Sequence, residues 1–117
     1  MKTTIRSKAY LSGAEGQACV HCGVRDDTVV AAHYQGIRAQ LFNKGKGTKP
    51  HDVVCVADLC RRCHKLFDSY DISGYADQYM KKVDTSEQFL YCCLMTFLRR
   101  IEQGIVVIKD VNPKDEA

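Results

Sequence analysis

At 117 residues and a net charge of +3, the chain is long enough for one domain with a modest core, and its charge alone selects no partner. Its seven cysteines would suggest disulfides in a secreted protein. However, Met1–Tyr10 is followed by no apolar run fit for a signal peptide, and no stretch approaches the roughly 18 apolar residues of a membrane span. The expected setting is a reducing cytoplasm, where Cys-x-x-Cys pairs read as metal ligands.

In chain order, Cys19-Val-His-Cys22-Gly23 comes first, a knuckle whose tight turn aims two thiolates at one ion. Thr28–His33 has the β-branched content of a short strand, and Asp52–Leu59 reads as a second one. Between them the Gly- and Lys-rich stretch Asn43–Pro50 reads as an exposed loop. A helix is expected from Arg61 to about Tyr70, with a break at Ser73 and Gly74 and a second helix over Tyr75–Val83. A third begins at a Ser86 cap, repeats Leu90, Cys93, Leu94, Phe97, Leu98 and Ile101 at helical spacing, and stops at Gly104. Ile105–Ile108 is expected as a small strand or an extended tail. The helices from Tyr75 to Gly104 read as scaffold, with a surface that could pair with a second copy.

Cys60-Arg-Arg-Cys63 supplies a second Cys-x-x-Cys pair, so Cys19, Cys22, Cys60 and Cys63 complete one tetrahedral, closed, structural Zn²⁺ site. His21 is an alternative ligand within the first pair. Cys55, Cys92 and Cys93 are left over and read as small hydrophobes. His64 follows the second pair directly, with Asp68 one helical turn beyond it on the same side. His33 ends the first strand, and His51 and Asp52 open the second. A neutral imidazole, a His/Asp pair on a metal and a basic surround are the parts of metal-assisted phosphodiester hydrolysis. The surround is basic here: Gln35 to Lys65 holds seven basic residues against two acidic ones, which suits a polyanion.

The order AAHY (Ala31–Tyr34), a Gly/Lys loop, GTKPHD (Gly47–Asp52) and LCRRCHKLFD (Leu59–Asp68) resembles the HNH, or ββα-metal, nucleases. It is most similar to the small zinc-stapled versions encoded by phages and prophages, such as the catalytic part of the phage recombination nuclease Ref. The resemblance covers residues 19–71 of a single 1–117 domain and implies an α+β fold with a ββα-metal core, a four-cysteine zinc site and added C-terminal helices. It implies His33 as the base that activates water, Asp52 as the residue that steadies it, and His64 as a ligand of a catalytic Mg²⁺, Mn²⁺ or similar ion. Asp68 stands where some members have a further ligand, and His51 is an additional candidate. Many members carry a metal-binding Asp or His just before the base, where this chain has Ala32.

The function so implied is a DNA endonuclease or nickase acting in recombination, replication or DNA processing, with Arg38, Lys44, Lys46, Lys49 and Arg62 on the phosphate backbone. A phage or host recombination or replication protein and a second copy of the chain are further expected partners. The rival expectation is a non-catalytic zinc module that binds DNA or a protein. A Cys-x-x-Cys redox protein explains neither His33 nor the second cysteine pair.

Overall fold

The two β-branched runs pair with each other in the structure, a computed structural model that describes residues 3–45 and 47–111. β1 (Val30–His33) lies antiparallel to β2 (Val56–Leu59), with Val30 opposite Leu59 and His33 opposite Val56. The helices α1 (Lys8–Ser12), α2 (Arg61–Asp68) and α3 (Gln78–Glu102) complete an α+β arrangement around this small sheet, with a 3-10 turn at Ala39–Phe42. No described helix is long and apolar enough to cross a membrane.

Both strands are shorter than their composition suggests, because polar side chains claim the flanking backbone. The Thr28 amide and hydroxyl both donate to Asp26 Oδ1, at 2.8 and 2.6 Å, which turns the chain before β1. Ahead of β2, Val54 has φ of 72°, a conformation a β-branched residue rarely adopts, and its N–H donates to the Tyr10 hydroxyl. The helix α1, which carries Tyr10, was not expected. Ser7 caps it by accepting from the Tyr10 amide.

The ladder fixes which edge of the sheet is open. Tyr34 N–H donates to Cys55 O, so by alternation the backbone groups of Ala31 and His33 point away from β2. No hydrogen bond among the described residues uses them. The outer edge of β2 is filled instead: Asp58 O accepts from Val20 N at 2.9 Å, and Asp58 N donates to Thr96 Oγ1 at 3.0 Å.

Alternation also divides the faces. Ala32, Ala57 and Leu59 join Cys63 and Phe67 of α2 and Phe89, Cys92 and Cys93 of α3 in one core. Ala31, His33, Val56 and Asp58 belong to the other face. There the fully buried Asp58 carboxylate takes Arg100 through both oxygens and Arg99 through one, at 2.5 to 2.9 Å. Arg100 also lies over the Tyr10 ring, tying α3 to α1 across the sheet. Asp58→Asn removes the charge that two guanidinium groups share, one of them wholly buried, and is expected to cost about 3 kcal/mol in a urea melt at unchanged zinc content. Stability within 1 kcal/mol of the parent would show that the cluster is not a linchpin.

The C-terminal part departs from the two helices expected. One helix runs through Ser86, because its N-cap is Asp77, which accepts from Met80 N at 2.9 Å, and no glycine or proline follows until Gly104. Ser86 is no cap: its hydroxyl meets the Tyr34 hydroxyl and accepts from Ile37 N. Gly104, with φ of 75°, does end the helix. Ile105 and Val106 form no strand; their amides donate to Arg100 O and close the last turn. α2 stops at Asp68, two residues before Tyr70, which takes φ of 63°.

Candidate metal centre and neighbouring polar pairs

The first knuckle is a closed turn. Cys19 N donates to Val24 O, Gly23 N donates to Cys19 O, and Gly23 holds φ of 82°, which its missing Cβ allows. The Val20 bond to Asp58 seats this turn on β2, at whose end Cys60 begins α2. The four sulfurs of Cys19, Cys22, Cys60 and Cys63 thereby lie within 4.8 Å of one another. Cys22 and Cys60 Sγ are 3.7 Å apart, close to the roughly 3.8 Å edge of a tetrahedron with Zn–S bonds of about 2.3 Å. The set fits a metal ion such as structural zinc, and all four positions of a tetrahedron are taken by protein.

The surroundings favour a thiolate at Cys19. Burial would raise the Cys19 pKa, but amide hydrogen bonds from Cys22, Cys60 and His21 pull it down to about 7. His21 is a neighbour of the four-sulfur set, with Nδ1 3.4 Å from Cys63 Sγ and its ring edge-on to Phe67. Burial pushes the Cys63 thiol up, as it does that of Cys93 and those of Cys55 and Cys92, the last two to about 11 and 12. Cys55, Cys92 and Cys93 lie outside the four-sulfur set and pack as neutral hydrophobes.

A second polar group gathers at the end of β1. His33 Nε2 lies 2.8 Å from Asp52 Oδ1, and its side chain is 11% exposed. Arg6 donates to the same oxygen at 3.1 Å and the Ser7 amide to Oδ2 at 2.8 Å. Burial alone would raise the Asp52 pKa, but the bonds from His33, Ser7 and Arg6 hold the carboxyl below its usual range, so it is an anion at neutral pH. A neutral His33 ring that donates Nε2–H to that anion carries its lone pair on Nδ1. His51 is buried, and its Nδ1 accepts from Ile5 N at 2.9 Å. Residues 5–7 thus strap residues 49–52 in place, with Arg6 also donating to Lys49 O. Arg6 and Ser7 escaped the sequence reading, since nothing local in the chain links them to Asp52.

His64 and Asp68 lie one turn apart on α2 with Nε2 and Oδ2 separated by 3.5 Å, and their side chains are 38% and 52% exposed. They border a hollow of about 480 Å³ with Asp27, Thr28, Val30, Arg61 and Lys65. Neither His33 nor His51 lines it. The sheet explains the separation: Val30 and Ala32 share the face that α2 covers, whereas His33 turns to the opposite one. The structure therefore pairs His33 with Asp52 and His64 with Asp68, on the two sides of β1. Ala32, 2% exposed, offers no ligand between them. Arg38, Lys49 and Arg62 are exposed and Lys44 is partly buried, while Lys46 lies outside the described residues.

No family model matches the chain, and neither a curated protein nor a solved structure matches it. What fold and site define is an α+β protein with a four-cysteine centre suited to a metal.

Proposed function

We propose that the protein is a metal-dependent DNA endonuclease or nickase of the HNH type, built on a ββα-metal core and serving phage or prophage recombination, replication or DNA processing. The observation that carries this reading is the His33–Asp52 pair at the end of an open strand edge, with the His64–Asp68 pair on the helix that follows the second strand. His33 and the His64–Asp68 pair border the two faces of β1, and a phosphodiester that engages both has to cross its open edge.

His33 Nδ1 takes a proton from water as the water oxygen forms its bond to phosphorus, and Asp52 stabilises the imidazolium through Nε2–H. The P–O3′ bond breaks in line, and the 3′ oxygen leaves to be protonated by solvent. His64 and Asp68 would hold Mg²⁺ or Mn²⁺, and such an ion would supply charge stabilisation for the phosphoryl oxygens. Arg38, Lys44, Lys46, Lys49 and Arg62 hold the backbone, which gives affinity with little sequence readout.

The test is nicking of supercoiled plasmid with Mg²⁺, Mn²⁺ or no added ion, beside a zinc measurement. Nicking that depends on the added ion, in protein that already holds about one zinc, is expected. Replacing Lys44, Lys46 and Lys49 by Ala should flatten the plot of log affinity against log salt by about two to three units, equally for all sequences. An unchanged slope removes that loop from the interface.

A second reading, a non-catalytic zinc module binding DNA or a protein partner, draws on Ala32 and on the separation of His33 from His64 by the strand. Metal-independent DNA binding with no nicking under any ion selects it.

A further inference from the structure

α2 presents Arg61 and Lys65 on one exposed side, one turn apart, and a hollow lies on each flank of this ridge. The flank towards His64 and Asp68 sets Arg61 and Lys65 against Asp27 and Asp68 and is balanced in charge. The other hollow, about 600 Å³, reaches the zinc knuckle and differs in character. It sets Arg61, Arg62 and Lys65 against Asp26 and the sulfurs of Cys22 and Cys60, which the metal set holds at its back, and its walls include Val24 and Leu66. The Asp26 carboxylate is already engaged by the amide and hydroxyl of Thr28. None of the three cationic side chains has an ion-pair or hydrogen-bond partner among the described residues. Val24, 40% exposed, is apolar surface left open beside three unpaired cations.

A ligand that fits must bring negative charge and a flat apolar body together, at a size suited to a cavity of several hundred Å³. We infer that this second hollow binds one unpaired nucleotide of a nucleic-acid strand, with its base against Val24 and Leu66 and its phosphate on the Arg61–Lys65 ridge. Arg62, which borders this hollow and not the other, is here assigned to the base, with its guanidinium stacked on it, in place of a backbone contact. The inference deepens the nuclease reading and rests on it in one respect: the ridge phosphate becomes the neighbour of the phosphate cut at the His64–Asp68 hollow. The preferred substrate is then DNA with an unpaired nucleotide beside the cut, as in a flap, gap or overhang, where no base pair has to be opened to fill the hollow.

The experiment uses the full chain loaded with zinc, since the tetrathiolate behind Cys22 and Cys60 carries negative charge that acts on the same cations. Anisotropy of fluorescein-labelled single-stranded dT10 and of a blunt 10-base-pair duplex is measured without added Mg²⁺ or Mn²⁺. The single strand is expected to bind about tenfold more tightly than the duplex. Val24→Asp, at an exposed position, and Arg62→Ala should each remove most of that preference at unchanged zinc content and circular dichroism. Equal affinity for the two ligands, or full preference retained by Val24→Asp, overturns the inference. The double variant His64→Ala, Asp68→Ala should keep the preference. Preference in a protein that nicks nothing leaves the nucleotide site standing and sinks the nuclease reading, whereas nicking without preference does the reverse.

Discussion

Replacing Cys60 by serine is expected to release zinc and to abolish the cooperative melt of the domain. Cys60 has two roles in the structure. Its sulfur stands 3.7 Å from that of Cys22 within the four-cysteine set, and it also caps α2 by accepting from Cys63 N at 3.4 Å. Serine is itself a good cap, so the substitution keeps the second role and removes the first. Structural zinc contributes about 10 to 16 kcal/mol of apparent binding free energy, as large as the whole stability of an ordinary domain at about 5 to 15 kcal/mol. The loss should therefore exceed that of any substitution in the apolar core. The knuckle turn would lose its anchor on α2, and the core cluster, to which Cys19, Cys60 and Cys63 all belong, would open. Cys92→Ala serves as the control, because that thiol is buried in the same cluster but lies outside the metal set. It should keep its zinc and lose only packing. A Cys60→Ser protein that melts like its parent, with no metal in either, would mean that the four sulfurs meet without an ion.

The metal centre was legible because its signature is local. Each Cys-x-x-Cys pair closes within one turn, and the chain between the pairs has only to bring two turns together. α2 was legible for the same reason, since Cys60 to Asp68 holds its cap, its core residues and its polar side in nine consecutive residues. The division of α3 into two helices failed at Ser86, a good cap taken in isolation. Its hydroxyl is instead spent on Tyr34 and Ile37, some 50 residues away in sequence, which no local propensity records. The strap of residues 5–7 was invisible on similar grounds: Arg6 and Asp52 are 46 positions apart, and a single ion pair leaves no period in the sequence. The separation of His33 from His64 was, in principle, readable. Ala32 and His33 are neighbours on a strand and must face opposite ways, so a helix packed over Ala32 turns its back on His33.

That separation makes His33→Ala the most informative test of the chemistry. If His33 is the base, its removal should lower plasmid nicking by about a thousandfold, within the range usual for loss of a general base. The fold should survive, because Asp52 keeps the Arg6 guanidinium at 3.1 Å and the Ser7 amide at 2.8 Å when the imidazole goes. The buried carboxylate is thus not orphaned. Zinc content and DNA affinity should stay within twofold of the parent, since His33 belongs to neither the sulfur set nor the basic surface. His64→Ala should do the converse: lose a Mn²⁺-binding event in calorimetry while the zinc and the melt remain, as its side chain is 38% exposed on α2 and pairs with the exposed Asp68. The two variants dissect base from ligand because the strand holds their side chains apart, so neither loss can be a trivial consequence of the other. Nicking at the parental rate by His33→Ala, or undiminished Mn²⁺ binding by the double variant His64→Ala, Asp68→Ala, would hand the case to the non-catalytic zinc module. In that event the Asp52 network keeps a purely structural meaning: a buried anion that fastens the N-terminal strap to the end of the sheet.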